Sequence, residues 1–203
     1  MPARLVRSIG GYEGSLYPHP QRQLDTSLRA LGYQVEALEL PDNAAPDVEV
    51  CMAFLQAQMQ GLAQGVLLLH SLSSRLFLIL AHRVRQHGQL HRPLVDTAVL
   101  LAPANGRYMA DWVPAIAPFF AQNIWVPLLT GAARRVLIAA ADDDPYWEEA
   151  ETDLQAFRQQ PGVDVLLLPG QGHLNQAVVS GDLPAVCAWI LAGQVDADAD
   201  IMA

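Results

Sequence analysis

The feature that most restricts how this chain can fold is an alternation of short apolar runs with longer segments of helical period. Apolar runs at residues 4–9, 35–40, 66–70, 95–101, 135–140 and 163–168 read as six strands. Between them, residues 20–31, 47–62, 72–86, 148–158 and 183–191 read as helices, the first stopped by Gly32. In the second, Val50, Phe54, Met59 and Leu62 fall near one face; in the third, Leu76, Leu80 and Val84 do. Strands alternating with helices predict a three-layer α/β fold with a mostly parallel six-stranded sheet and helices on both faces. The run at 66–70 is apolar almost throughout, as a central strand buried on both sides requires.

Of 203 residues, 52% are hydrophobic and 16% charged, enough for a sizeable core in a single domain spanning 1–193. The acidic stretch within 194–203 reads as a flexible tail. Residues 103–130 break the alternation: they are rich in proline and carry Tyr108, Trp112, Phe119, Phe120 and Trp125. They form a minimal cap, either an irregular cover over the sheet edge or a lid whose Trp112, Phe119 and Phe120 line a substrate site.

A net charge of −9 and a pI near 4.9 leave no basic stripe for phosphates, so neither nucleic acid nor an anionic membrane surface is expected as partner. No apolar run approaches a membrane span, and residues 1–9 lack the pattern of a secretory signal, which makes the cytoplasm the expected location. Cys51 and Cys187 sit among apolar helix residues and read as buried free thiols. No spacing of His, Cys and carboxylates suggests a metal, and no cofactor is implied.

In an open parallel sheet, reactive groups collect at the carboxyl ends of strands. Three ends stand out: His70-Ser71 after the third strand, Asp142-Asp143-Asp144-Pro145-Tyr146 after the fifth, and Gly170-Gln171-Gly172-His173-Leu174-Asn175 after the sixth. They supply a serine, an acid and a histidine in that chain order. A serine hydroxyl needs a histidine to take its proton, and the histidine needs an acid to fix its tautomer. Among the known arrangements, the order Ser, acid, His belongs to the α/β-hydrolase fold. Alternatives stay open within each position: Asp142 and Asp143 compete with Asp144, while Ser73 and Ser74 compete with Ser71 but fall inside the helix. The elbow that presents such a serine normally reads G-x-S-x-G, and here Leu69 and Ser73 occupy the glycine positions.

The chain resembles the small, nearly capless α/β-hydrolases of the retinoblastoma-binding-protein-9 and YdeN type over residues 4–191. The resemblance rests on His70-Ser71-Leu72-Ser73, Asp143-Asp144-Pro145-Tyr146 and Gly170-Gln171-Gly172-His173-Leu174-Asn175. It implies a serine hydrolase cleaving a small ester or related acyl substrate through an acyl-enzyme, with Ser71 as nucleophile, Asp144 as orienting acid and His173 as general base. It implies an oxyanion hole from the backbone N–H groups of Leu72 and Ile9, the latter from the loop Arg7-Ser8-Ile9-Gly10-Gly11.

Two other readings compete. Leu69 could crowd the turn and leave a hydrolase fold that only binds or scaffolds. Alternatively, Gly10-Gly11-Tyr12-Glu13-Gly14 with Glu36 or Glu39 loosely imitates a dinucleotide fingerprint, although no register supplies its first glycine.

Overall fold

The computed structural model describes residues 4–15, 18–62, 64–88, 92–175 and 183–201. Six parallel strands form one sheet: β1 Leu5–Ile9, β2 Gln34–Leu38, β3 Val66–His70, β4 Val95–Leu101, β5 Ala133–Ala140 and β6 Val163–Leu167, in the order β2-β1-β3-β4-β5-β6. The helices are α1 Pro20–Ala30, α2 Val48–Met59, α3 Leu72–Gln86, α4 Met109–Trp112, α5 Ala150–Arg158 and α6 Pro184–Ile201, with a 3-10 helix at Pro114–Phe120. This is the three-layer α/β architecture expected from the alternation, and it fits the α/β-hydrolase fold that the resemblance implies.

Period-two alternation along β3 divides the core. Leu67 and Leu69 face a cluster built from α2, α3, α5 and the cap segment, whereas Val66 and Leu68 face one built from α1 and α6. Both faces are therefore covered, which is why β3 carries no solvent-facing polar position. The strand order reverses between β1 and β3, so their carboxyl ends diverge into a crevice where an open α/β sheet holds its ligands.

Two helices differ from expectation. On α2 the buried stripe is Val48, Cys51, Met52, Leu55 and Met59, while Val50 is 55% exposed. Asp47 sets this phase: its Oδ1 accepts the amides of Glu49 and Val50 at 2.9 Å, fixing Val48 as the first helical residue and rotating Val50 outward. Helix α6 runs on to Ile201, through the acidic stretch read as a tail. Cys51 and Cys187 are both buried; burial first, then Asp47 and Asp42, raises the Cys51 thiol to about 11.

The cap segment is anchored from beneath by Arg75, which is fully buried on α3. Its guanidinium donates to the carbonyls of Phe119, at 3.3 Å, and Ile124, and to Asn105 Oδ1 at 2.9 Å. Its face lies against the rings of Phe120 and Trp125, about 5 Å from each centroid. Asn105 passes the network on to Asp153 of α5, which also takes Arg107 and the Trp147 indole. Burial pulls the Arg75 guanidinium down to about 9, so it remains charged at neutral pH. An arginine after an apolar strand is thus a buried strut between sheet, cap and α5.

Candidate active site

The turn from β3 into α3 places Ser71 at φ 55° and ψ −115°, a backbone region that costs a side-chain-bearing residue of order 1–3 kcal/mol. Surrounding hydrogen bonds hold it there. The Ser71 amide donates to Leu101 O at 2.9 Å, and its carbonyl accepts from Arg75 N at 3.0 Å and Ala104 N at 3.2 Å. Leu72 opens α3, so its amide has no acceptor within the helix.

The two missing elbow glycines are accommodated separately. Leu69 is fully buried and turns into the core cluster with Leu67 and Leu72. Ser73 folds its hydroxyl back: Oγ lies 2.9 Å from the carbonyls of both Ile9 and His70 and accepts the His70 amide at 3.0 Å. The close approach falls instead on Gly11, after β1. A Cβ there would stand 2.8 Å from Ser71 Cβ, 2.9 Å from His70 O and 3.2 Å from Leu72 N. Leu69, whose bulk motivated a binding-only reading, thus packs in the core cluster.

His173 Nε2 lies 2.7 Å from Ser71 Oγ. Its Nδ1 lies 2.8 and 3.0 Å from the two carboxylate oxygens of Asp144. A carboxylate only accepts, so Nδ1 carries the proton and Nε2 is left to accept from the Ser71 hydroxyl. The Asp144 side chain is fully buried, and its Oδ1 also accepts the Tyr146 amide at 2.9 Å. Such an array can deprotonate a hydroxyl and return the proton to a leaving group.

The three neighbouring aspartates divide their work. Asp142 Oδ1 accepts the Gly170 amide at 2.9 Å and Asp143 Oδ1 that of Gly172 at 2.8 Å, so both brace the histidine loop while Asp144 alone reaches the ring. Gly170 and Gly172 have φ of 69° and 54°, conformations that glycine adopts without strain.

A model of serine hydrolases matches residues 7–191, which is nearly the whole chain. The chain belongs to the serine hydrolase family. By sequence, no curated protein matches it. By structure, this serine hydrolase is similar to the ydeN gene product of B. subtilis, at 21% identity, a TM-score of 0.74, and coverage of 94% of this chain and 98% of that one. It is also similar to Est1E from Butyrivibrio proteoclasticus, solved with ferulic acid bound, at 14% identity, a TM-score of 0.64, and coverage of 94% and 89%. An esterase domain from Rhodothermus marinus gives 15% identity, a TM-score of 0.61, and coverage of 93% and 87%. At these identities the likeness concerns the fold.

The cap residues of the hydrolase part company. Phe119 and Phe120 are 0% and 4% exposed and belong to the core beneath the cap, pinned by Arg75, so they do not line an open site. Trp112 is 53% exposed, and its ring meets Tyr146 edge-on at 6.4 Å; Tyr146 in turn meets the His173 ring at 4.6 Å. Tyr146, His173, Asn175, Pro145 and the Gly170–Gly172 peptide enclose a cavity of about 400 Å³. A larger surface pocket, about 640 Å³ between α3 and residues 122–127, includes none of Ser71, Asp144 and His173.

Sequence reasoning missed Tyr146 as a wall of the site, although its place two residues after Asp144 was visible. It also missed His70, whose position beside Ser71 was the only signal. The dinucleotide reading fails on its own carboxylates: Glu36 is paired with Arg7 at 2.9 Å and Glu39 with Arg22 at 2.9 Å. Among the described residues no helix is long and apolar enough to cross a membrane, and no group of three potential ligands could hold a metal ion.

Proposed function

We propose that this serine hydrolase cleaves a small ester or related acyl compound through an acyl-enzyme on Ser71. His173 takes the Ser71 proton as the hydroxyl attacks the acyl carbon, and Asp144 steadies the resulting imidazolium. His173 then protonates the leaving alcohol and later activates the water that releases the acid. The observation that carries this reading is the unbroken line Ser71 Oγ, His173, Asp144, with links of 2.7 and 2.8 Å, at a serine held in a strained elbow.

Leu72 N–H is one oxyanion donor in this proposal. Ile9 suits the second role poorly: it lies inside the ladder, in register with Leu38 and Leu69. Gly10 donates to Leu38 O. Gly11, the next residue, packs against Leu72 N, and its amide is assigned the role instead. Trp112 and Tyr146 form the apolar wall for the substrate.

A fluorophosphonate probe tests the reading. Wild-type protein should label at Ser71, and Ser71→Ala should neither label nor turn over p-nitrophenyl acetate. Labelling at another residue, or turnover that survives Ser71→Ala, overturns it.

A further inference from the structure

The residue before the elbow serine holds more than a place in the strand. His70 ends β3, in register with Leu101 of β4, and is 3% exposed. Its Nε2 lies 3.0 Å from the main-chain carbonyl of His173. A carbonyl only accepts, so Nε2 bears a proton and donates it. The ring is packed on both sides: His19 meets it edge-on at 4.6 Å, and the His173 ring lies 5.2 Å away. Burial, with His173, His19 and Arg22 all opposing a second positive charge, holds the His70 imidazole neutral, its pKa well below the ordinary 6.5.

The loop that receives this hydrogen bond is one that would not keep its shape alone. Gly170, Gly172 and Leu174 all have positive φ, and Leu174, at 51°, has a side chain to strain. Asp142 and Asp143 tie the loop from the solvent side through Gly170 and Gly172. His70 ties it from the core side, at His173 itself. The backbone amide of His70 is meanwhile fixed to Ser73 Oγ. One residue thus joins the elbow that carries Ser71 to the backbone that carries His173.

We propose that His70 is a positioning residue, setting the Ser71–His173 separation by donating its Nε2–H to the His173 carbonyl. The proposal rests on the Ser71 hydrolase reading above. It concerns the donor rather than the volume of the side chain, and that distinction decides the test.

In the full chain, His70→Leu fills the space without a donor, His70→Gln supplies an amide N–H at comparable reach, and His70→Asn supplies one that falls short. With p-nitrophenyl acetate, His70→Leu and His70→Asn should lose about 10- to 100-fold in kcat with KM little changed, the scale of a misplacement near 1 Å. His70→Gln should stay within about threefold of wild type. The low-field proton resonance of the His173–Asp144 hydrogen bond should persist in His70→Gln and shift or broaden in His70→Asn. Wild-type kcat and an unshifted resonance in His70→Leu, or equal losses in Gln and Asn, overturn the proposal. Should the Leu variant not fold, the Gln and Asn pair decides alone. Turnover that survives Ser71→Ala would instead remove the hydrolase reading, and the proton resonance would still report whether His70 positions His173.

Discussion

Ser73 Oγ lies 2.9 Å from the carbonyl oxygen of Ile9, across the junction of α3 with the end of β1. A hydroxyl stands where the usual elbow has no side chain, and it is bonded to both strands that frame the turn. Ser73→Ala removes the acceptor of the buried His70 amide and should cost about 1–3 kcal/mol, read as a lower urea midpoint with unchanged slope. Gly11→Ala attacks the same junction sterically, since the new methyl would press on Ser71 Cβ and His70 O. It should slow fluorophosphonate labelling by at least about tenfold, because the elbow backbone itself must shift.

The three aspartates should separate cleanly by mutation. Asp144→Asn leaves the shape but favours the wrong His173 tautomer, and should lower kcat by about 10⁴. Asp142→Ala and Asp143→Ala each remove one exposed carboxylate-to-amide bond from the histidine loop, and should lower kcat by about tenfold or less. Steady-state kinetics on one ester distinguishes the classes.

The aromatic residues of the cap should divide between stability and binding. Phe119→Ala opens a cavity under Arg75 and should cost about 3–5 kcal/mol in thermal or chemical unfolding. Trp112→Ala, at an exposed position, should change stability by no more than about 0.5 kcal/mol. It should raise KM for aryl esters while sparing kcat, if the ring touches only the bound substrate.

Acid should destabilise the protein through two histidines. Burial, then Arg22 and His173, lowers His19 to about 4, and His70 is held well below 6.5. Both are neutral in the fold above 6.5, where the unfolded chain is neutral as well. As pH falls through 6.5 the unfolded chain takes up protons that the fold refuses, so stability declines. The loss attributable to His19 is complete near pH 4, and His70 adds to it in the same direction. Tm measured from pH 7 to 4 should fall, and His70→Gln should flatten the slope.

Much of the fold was legible because it is written in periodicity. The run at 66–70 read as a central strand, and the Ser, acid, His order at three strand ends, with the family resemblance, pointed to Ser71, Asp144 and His173, which the fold brings into hydrogen-bonding line. What periodicity could not reach were relations across the chain. The phase of α2 depended on the Asp47 cap rather than on apolar residues alone. Phe119 and Phe120 looked like substrate wall because nothing in their neighbourhood announced Arg75 beneath them, 44 residues away in sequence from Phe119. The Asp142 and Asp143 braces needed the histidine loop, distant in sequence, to acquire a purpose.

Gly11 carries the last consequence. Steric clearance at the nucleophile turn is here a joint property of two adjacent strand exits, not of five consecutive letters around the serine. A side chain at position 11 would meet Ser71 Cβ, His70 O and Leu72 N, so the exit of β1 limits what the turn after β3 can hold. A pentapeptide search would pass over such a chain. A pattern that scores both exits together would find it.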